Sequence, residues 1–110
     1  ILKDNKPFII VGTPGGTTII TSVLQSILNI IDYNMNAHDA VNNPKFHHQW
    51  LPDEIFVEKD FPEQIRNELK NMGYKITERS YWSRTELIKI SKDHFEATAD
   101  KRGDDAAEGY

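Results

Sequence analysis

Apolar residues in the first third of the chain follow two patterns that predict a strand followed closely by a helix. Phe8 to Val11 is a continuous apolar run, which is typical of a buried strand. Between Thr17 and Ile31, apolar residues recur at spacings of three and four, as on an amphipathic helix that Thr17 or Thr18 can cap. The intervening segment 12–16, Gly-Thr-Pro-Gly-Gly, predicts a tight loop.

Short helices and alternating segments make up the rest of the chain. Asn36 is expected to cap a helix over 38–42, and Phe61-Pro62-Glu63 to open a further helix that stops at Gly73. Alternation of apolar and polar residues, together with flanking turn residues, predicts strands in the remainder. The expected strands are 46–50, 55–58, 74–76, 85–91 and 95–98, with a hairpin loop at 92–94.

This order of elements predicts an α+β or layered α/β fold, in which helices pack on one face of a sheet. With 38% hydrophobic and 27% charged residues, residues 1–110 are expected to form a single domain around one modest core. The polar, acidic stretch from Asp100 to Tyr110 is by itself typical of a frayed tail.

Charge and composition exclude several classes of partner. The formal net charge is −4 and the basic residues are scattered among acids, so neither nucleic acid nor an anionic membrane surface is an expected partner. No apolar run has the roughly 18–20 residues that a membrane-spanning helix needs. The absence of cysteine excludes disulfides, thiolate nucleophiles and cysteine-based zinc sites.

Gly15 and Gly16 are the candidate site residues that the pattern itself indicates. Two residues without side chains at a strand-to-helix turn leave backbone N–H groups free to face a negative charge. Such a loop can stabilise the oxyanion of a tetrahedral intermediate or hold a phosphate. The spacing matches neither the P-loop nor the dinucleotide-binding motif, and a plain tight turn stays open as the alternative.

Other chemistry-bearing residues have simpler structural explanations. His47 and His48 are adjacent on a predicted strand, so their side chains point to opposite faces and cannot both bind one metal ion. The acidic pairs Asp53-Glu54 and Asp104-Asp105 lie in turn-like or tail-like surroundings that favour a solvated surface. Large aromatic residues near strand ends are more typical of a core or an interface than of base stacking; they are Trp50, Tyr81 and Trp82.

Three segments together resemble the small subunit of the gamma-glutamyltranspeptidase family. They are Val11 to Gly16 with the following helix through Tyr33, the block Asn42 to Asp53 (NNPKFHHQWLPD), and the ending Ala99 to Tyr110. The middle block is long enough to make a chance match improbable. The resemblance covers nearly the whole chain and identifies it as the C-terminal part of that subunit, with an ordered ending rather than a frayed one.

The resemblance implies an N-terminal-nucleophile hydrolase fold, a four-layer αββα sandwich whose precursor cleaves itself into a large and a small subunit. In that family the N-terminal threonine of the small subunit attacks the gamma-glutamyl amide and forms a gamma-glutamyl-enzyme. That threonine and the residues that hold the glutamyl group would lie upstream, so this chain contains no nucleophile and is expected to be inactive alone. Gly15 and Gly16 match the family's pair whose backbone N–H groups stabilise the oxyanion.

The implied activity is transfer or hydrolysis of the gamma-glutamyl group of glutathione and related amides, without a metal or an organic cofactor. The implied partners are the large subunit and the upstream part of the small subunit, and the implied location is the periplasm or the extracellular space. Two alternatives remain open. One is a divergent amidase or acylase of the same fold, such as a cephalosporin-acylase-like enzyme, and the other is a non-catalytic structural module.

Three departures from the family pattern indicate a divergent branch. Lys45 stands where relatives commonly have Arg, and Lys cannot reproduce a bidentate fork. Asp100-Lys101-Arg102 replaces the more familiar Asp-Pro-Arg, and 82–85, Trp-Ser-Arg-Thr, lacks the glycine that often precedes Ser-Thr. Because strands outside this chain would complete the sheet, we also expect an exposed edge or face that makes the isolated chain self-associate.

Overall fold

The computed structural model describes residues 1–109, which form strands and helices in a mixed order. The strands are β1 (Leu2–Lys3), β2 (Lys6–Pro7), β3 (Ile9–Gly12), β4 (Phe46–His47), β5 (Ile55–Glu58), β6 (Ile76–Arg79), β7 (Glu86–Ile90) and β8 (Phe95–Thr98). The helices are α1 (Thr18–Ile31), α2 (Ala37–Asn42) and α3 (Glu63–Asn71). The mixed helix and strand composition predicted from the pattern is confirmed.

One antiparallel sheet has the order β3-β7-β8 and places the Gly15-Gly16 loop. Its register sets Ile10 opposite Ile88, and Ile88 opposite Ala97. Because side chains alternate along a strand, Ile10, Ile88 and Ala97 lie on one face of the sheet. The buried residues Ile9 and Leu87 lie on the opposite face. The strand β3 runs directly into the loop, as the apolar run at 8–11 predicted.

Helices α1 and α2 cover the inner face of this sheet and close the core. The buried core cluster combines sheet and helix residues; it consists of Ile9, Ile30, Ala37, Ala40, Val41 and Leu87. Helix α1 buries Thr18, Ser22 and Ser26, spaced by four, and it exposes much of its apolar stripe. The small polar residues allow close approach of α1 to its neighbours, which the amphipathic pattern did not predict.

A second three-stranded sheet has the order β4-β5-β6, with β5 and β6 parallel and α3 as the connection between them. Helix α3 ends before Gly73, whose φ of 95° is the left-handed conformation that glycine adopts readily. None of the residues of α3 is buried, so this helix lies on the surface of the described part.

Residues 100–103 are anchored to the rest of the chain, which corrects for this part the expectation of a frayed tail over 100–110. Residues 104–109 are exposed and lie in no helix or strand. Asp100 is buried, and the backbone N–H of Lys101 donates to Asn42 Oδ1 at 2.9 Å. Arg102 reaches back across the surface of the core, as detailed below. Tyr110 lies outside the described residues.

Several boundaries differ from the predictions for physical reasons. The strand expected at 46–50 ends at His47, and Trp50 adopts a φ of 76° that is incompatible with a strand. The strand expected at 74–76 begins at Ile76 and continues to Arg79. Asn36 does cap α2 by accepting from the Asp39 N–H, whereas no side chain caps α1. No helix among residues 1–109 is long and apolar enough to cross a membrane.

Candidate functional site

Two glycines with positive φ form the loop between β3 and α1. Gly15 has a φ of 138° and Gly16 a φ of 61°. Only glycine adopts both angles without steric cost, because a Cβ atom would clash with the backbone in this region. The turn brings the chain from the end of the strand to the first turn of a 14-residue helix.

The environments of the two glycines differ. A Cβ atom placed on Gly15 would lie 2.5 Å from Thr18 Oγ1 and 3.0 Å from the Trp82 carbonyl oxygen, so no side chain fits there. A Cβ atom on Gly16 would meet nothing within 4 Å. The loop is therefore held tightly at Gly15 and is open to solvent at Gly16.

The N–H groups of the loop are available as donors. The carbonyls of Gly15 and Gly16 accept from the Thr18 and Ile19 N–H groups at 3.3 and 3.2 Å, and Thr18 Oγ1 also donates to Gly15 O at 2.8 Å. Within residues 1–109, the N–H groups of Gly15 and Gly16 themselves donate to no acceptor. Both precede a helix N-terminus, where the partial positive charge favours an anion.

Residues 82–85 lie directly behind the loop. The Arg84 N–H donates to Thr13 Oγ1 at 3.1 Å, and the Thr85 N–H donates to Asp100 Oδ2 at 2.8 Å. The Trp82 carbonyl limits the space beside Gly15. This segment therefore connects the loop to the C-terminal segment of the chain.

A buried charge network anchors that C-terminal segment. Arg102 donates two hydrogen bonds to Glu58, of 2.7 Å to Oε1 and 2.6 Å to Oε2. It also donates to Asp100 Oδ1 at 2.8 Å. Its guanidinium also donates to the carbonyls of Val41 and Asn43. The side chains of both ion pairs have 0% exposure. Burial alone would lower the pKa of Arg102, but the hydrogen bonds that its guanidinium donates to Glu58 and Asp100 raise the pKa above its usual value.

Lys45 is a second cation in the same network. Its ammonium group is buried and donates to the Val41 carbonyl. The backbone N–H of Lys45 donates to Glu58 Oε2 at 2.8 Å. Burial, and then the charge of Arg102, lower the pKa of Lys45 to about 8, although Asp100 and Glu58 oppose the shift. With one hydrogen bond to a carbonyl, Lys45 does not form the bidentate pair that an arginine could.

No pattern in the sequence predicts the Arg102–Glu58 pair. The two residues are 44 positions apart, and neither stands in a motif that marks the contact. Only the family resemblance of the ending indicated that the residues around Arg102 are ordered.

The remaining candidates are placed apart from the loop or serve structural roles. His47 is buried between Thr21 Oγ1 at 2.8 Å and Gln49 Oε1 at 3.0 Å, whereas His48 lies on the surface near Asp53. Among residues 1–109, no group of three or more His, Cys, Asp or Glu side chains could hold a metal ion. Trp50 is 76% exposed, so it is not a core residue of the described chain.

Comparison with known proteins relates this geometry to a family. The family model described as gamma-glutamyltranspeptidase matches residues 1–110. The glutathione hydrolase proenzyme of Escherichia coli K12 is 40% identical over 112 aligned residues, covering 100% of this chain and 19% of the relative. The chain therefore spans about a fifth of the length of that relative.

Solved structures agree with the sequence match. An acivicin-inhibited gamma-glutamyltranspeptidase superposes with a TM-score of 0.90 at 43% identity, over 94% of this chain and 58% of that one. A cephalosporin acylase from Bacillus halodurans superposes with a TM-score of 0.83 at 26% identity, over 98% of this chain and 22% of that one. The expected N-terminal-nucleophile hydrolase fold is thereby confirmed.

The family match along all 110 residues and the 40% identity to a curated relative agree with the resemblance of the three sequence segments. The chain belongs to the gamma-glutamyltranspeptidase family, and it corresponds to a C-terminal portion of those proteins.

Proposed function

We propose that this chain serves as the C-terminal part of the small subunit of an enzyme that transfers or hydrolyses the gamma-glutamyl group of glutathione and related amides. Its contribution is an oxyanion hole formed by the backbone N–H groups of Gly15 and Gly16. The nucleophilic threonine and the residues that hold the glutamyl group belong to the upstream part of the protein. No residue of this chain takes the role of nucleophile.

The observation that supports this role most directly is the pair of unengaged N–H groups at the start of α1. When a nucleophile attacks an amide carbonyl, the negative charge develops on the carbonyl oxygen, and donors already in place stabilise it without reorganisation. Gly15 and Gly16 hold their positive φ angles in the structure as it stands. Two hydrogen bonds from Thr18 to the Gly15 carbonyl hold the loop against α1, and the Trp82 carbonyl leaves no room for a side chain at Gly15.

The C-terminal segment is proposed to maintain this loop. Arg102 and Asp100 connect the segment to β5 and to residues 83–85, and Arg84 connects those residues to Thr13. In the acivicin-inhibited relative, the C-terminus has critical roles in autoprocessing and catalysis. A similar dependence in this protein would act through the chain of contacts from Arg102 to the loop.

The test removes one donor without changing the side chain. In the full-length protein that contains this chain, the amide linking Gly15 to Gly16 is replaced by an ester, which deletes the Gly16 N–H. We expect kcat for a gamma-glutamyl para-nitroanilide to fall by about 100- to 1000-fold, with a smaller change in KM. Proline would be unsuitable, because its φ near −65° cannot reproduce the φ of 61° at Gly16.

Two matched controls accompany the ester. Gly12→Ala adds a methyl group at a nearby position where nothing lies within 4 Å, and it should leave kcat within about twofold of the native value. An ester between Thr21 and Ser22 disturbs the backbone in the body of α1, away from the loop. If that ester reduced kcat as much as the Gly16 ester, the assignment of the oxyanion hole would be wrong.

The likeness to the cephalosporin acylase supports a second candidate, an amidase of the same fold that removes a different acyl group. The two candidates share the loop chemistry and differ in the acyl group accepted. Turnover of a gamma-glutamyl anilide would favour the first candidate. Cleavage of a glutaryl amide, which lacks the α-amino group, with no turnover of the gamma-glutamyl compound would favour the second.

We also propose that the protein acts in the periplasm or outside the cell, assembled with its large subunit. Family resemblance alone supports the location. Cell fractionation followed by immunodetection of the full-length protein would test it, and recovery with cytosolic markers would contradict it.

A further inference from the structure

Arg84 lies beside the proposed oxyanion hole. Its backbone N–H donates to Thr13 Oγ1, two residues before Gly15, and the neighbouring Trp82 carbonyl comes within 3.0 Å of the Cβ position of Gly15. Arg84 and Pro14 line the same surface pocket, together with residues 81–83 and Arg102. The Arg84 side chain is therefore placed at the rim of the loop and not in the core.

The guanidinium of Arg84 differs from those of the other three arginines. Arg66 pairs with Glu78, Arg79 lies over the Phe56 ring at 4.8 Å, and Arg102 is enclosed by two carboxylates. Within residues 1–109, the Arg84 guanidinium forms neither a salt bridge nor a hydrogen bond. Arg84 is exposed among residues 1–109, so no other side chain of the described residues covers its charge.

Two acids lie near Arg84 without pairing with it. Asp105 Oδ2 and Arg84 Cδ lie 2.6 and 2.7 Å from the Cβ position of Gly103, so the Asp105 carboxylate approaches the aliphatic part of the arginine side chain. Glu86 follows two residues later, where its Cα pairs with that of Gly12 across β7 and β3. A substrate carboxylate would bind the guanidinium from the open side of the pocket.

We propose, building on the proposed gamma-glutamyl chemistry, that Arg84 determines specificity by binding a carboxylate on the leaving-group side of the substrate. Amino acids and peptides released from gamma-glutamyl amides carry such a carboxylate, whereas simple amines do not. The glutamyl group itself is held by the upstream part of the protein. A guanidinium presents a planar fork that matches a carboxylate, which makes arginine suited to this selection.

The experiment compares two chromogenic donors that differ by one carboxylate: gamma-glutamyl para-nitroanilide, and the same anilide with a carboxylate beside the nitro group. In the full-length protein, Arg84→Gln should lower kcat/KM for the carboxylated donor about tenfold and leave the uncharged donor within about twofold. Arg84→Lys should restore part of the preference. Because the contact is exposed, the native preference should also decrease as the salt concentration rises.

Arg79→Gln is the matched control, since it removes the same charge from an exposed arginine on β6. It should leave the ratio of the two kcat/KM values unchanged. If Arg84→Gln lowered kcat/KM for both donors equally, Arg84 would be structural and the proposal overturned. It would also be overturned if the ratio were the same as in the native protein. If the native protein turned over neither donor, the proposed function would fail, and this inference with it.

Discussion

Gly15 and Gly16 are both glycine, but the structure gives different physical reasons for each. Gly15 excludes any side chain because Thr18 and Trp82 occupy the space where Cβ would stand. Gly16 has open space around it and needs glycine only for its φ of 61°. A substitution at Gly15 therefore displaces the loop, whereas alanine at Gly16 costs only the strain of a left-handed residue, about 1 kcal/mol.

At the same scale, Lys45 shows what burial does to a cation. Lys45 is 1% exposed, and its ammonium group lies near the permanent charge of Arg102, so keeping the lysine protonated costs free energy. Glu58 and Asp100 compensate only partly, since Arg102 forms ion pairs with both. Lys45 therefore makes stability depend on pH in the alkaline range.

The sign of this pH dependence follows from the two pKa values of Lys45, which are about 8 in the folded state and 10.5 for a lysine in water. Below pH 8 both states hold the proton, and the full cost of burying the charge applies. Between the two values the unfolded state binds more protons, so the free energy of unfolding rises with pH by up to roughly 3 kcal/mol. Above 10.5 both states are neutral and the cost has gone.

Thermal unfolding of the full-length protein at several pH values from 7 to 10 would check this prediction for Lys45 against Lys45→Met, which has a similar length and no charge. As the pH rises above 8, the Tm of the native protein should increase relative to the Tm of the variant. Parallel Tm profiles would show that Lys45 keeps an ordinary pKa.

At the scale of elements, the C-terminal segment is held by charge and not by apolar packing. Arg102 contacts β5 through Glu58 and the end of α2 through the Val41 carbonyl. Asp100 in turn accepts from the Thr85 N–H. One arginine thereby links three parts of the chain that are distant in sequence.

Replacing Arg102 by alanine should therefore destabilise the protein strongly. The change leaves two carboxylates, each with 0% side-chain exposure, without their main counter-ion, which typically costs about 3–5 kcal/mol. Lys101→Ala is the control, because the Lys101 side chain forms an exposed pair with Asp60 at 3.3 Å, which is worth about 0–1 kcal/mol. Chemical denaturation of the full-length variants measures both effects, and similar losses for the two would refute the argument.

Helix α1 shows a second relation between elements. Its serines face the core while Ile20 and Leu24 are 75% and 50% exposed. Exposing an apolar stripe to water is unfavourable, so we expect a surface outside residues 1–109 to cover this face of α1. The apolar period predicts the helix correctly but does not say which face is covered by this chain.

On the scale of the whole molecule, residues 1–109 leave apolar surface exposed on two sides. One is the outer face of the β3-β7-β8 sheet, where Ile10, Ile88 and Phe95 are 55%, 37% and 73% exposed. The other is the outward stripe of α1. Exposed faces of this kind agree with the expectation from the sequence and are typical of surfaces covered by another part of a larger protein.

The chain expressed alone is therefore expected to self-associate and to bind an apolar dye. Ile10→Lys, at the centre of the outer sheet face, should weaken association in sedimentation experiments by at least about tenfold, because a buried ammonium is costly. Leu2→Lys is the control, since Leu2 is exposed outside this sheet and should have little effect. A compact monomer of the unmodified chain that binds no dye would contradict the prediction.

Much of the fold could be predicted, because local patterns encode it. Strand β8 matches its prediction residue for residue, and α1 differs by one residue at its start. The β1–β2 hairpin was missed, since its turn at Asp4 and Asn5 has positive φ at residues that only sometimes mark such turns. The strand expected up to Trp50 was too long, because alternation continues where the backbone turns away.

The amino-acid sequence by itself determined the order of elements, the glycine loop and the family, since periodicity and motif spacing are local properties. Only the tertiary structure decided that Arg102 meets Glu58 and that α1 buries its serines. It also decided that the Arg84 guanidinium lies beside the loop without a partner among residues 1–109. These facts depend on residues 44 or more positions apart, or on which face another part of the protein covers. Such contacts follow from how whole elements pack, and no single segment of sequence specifies them.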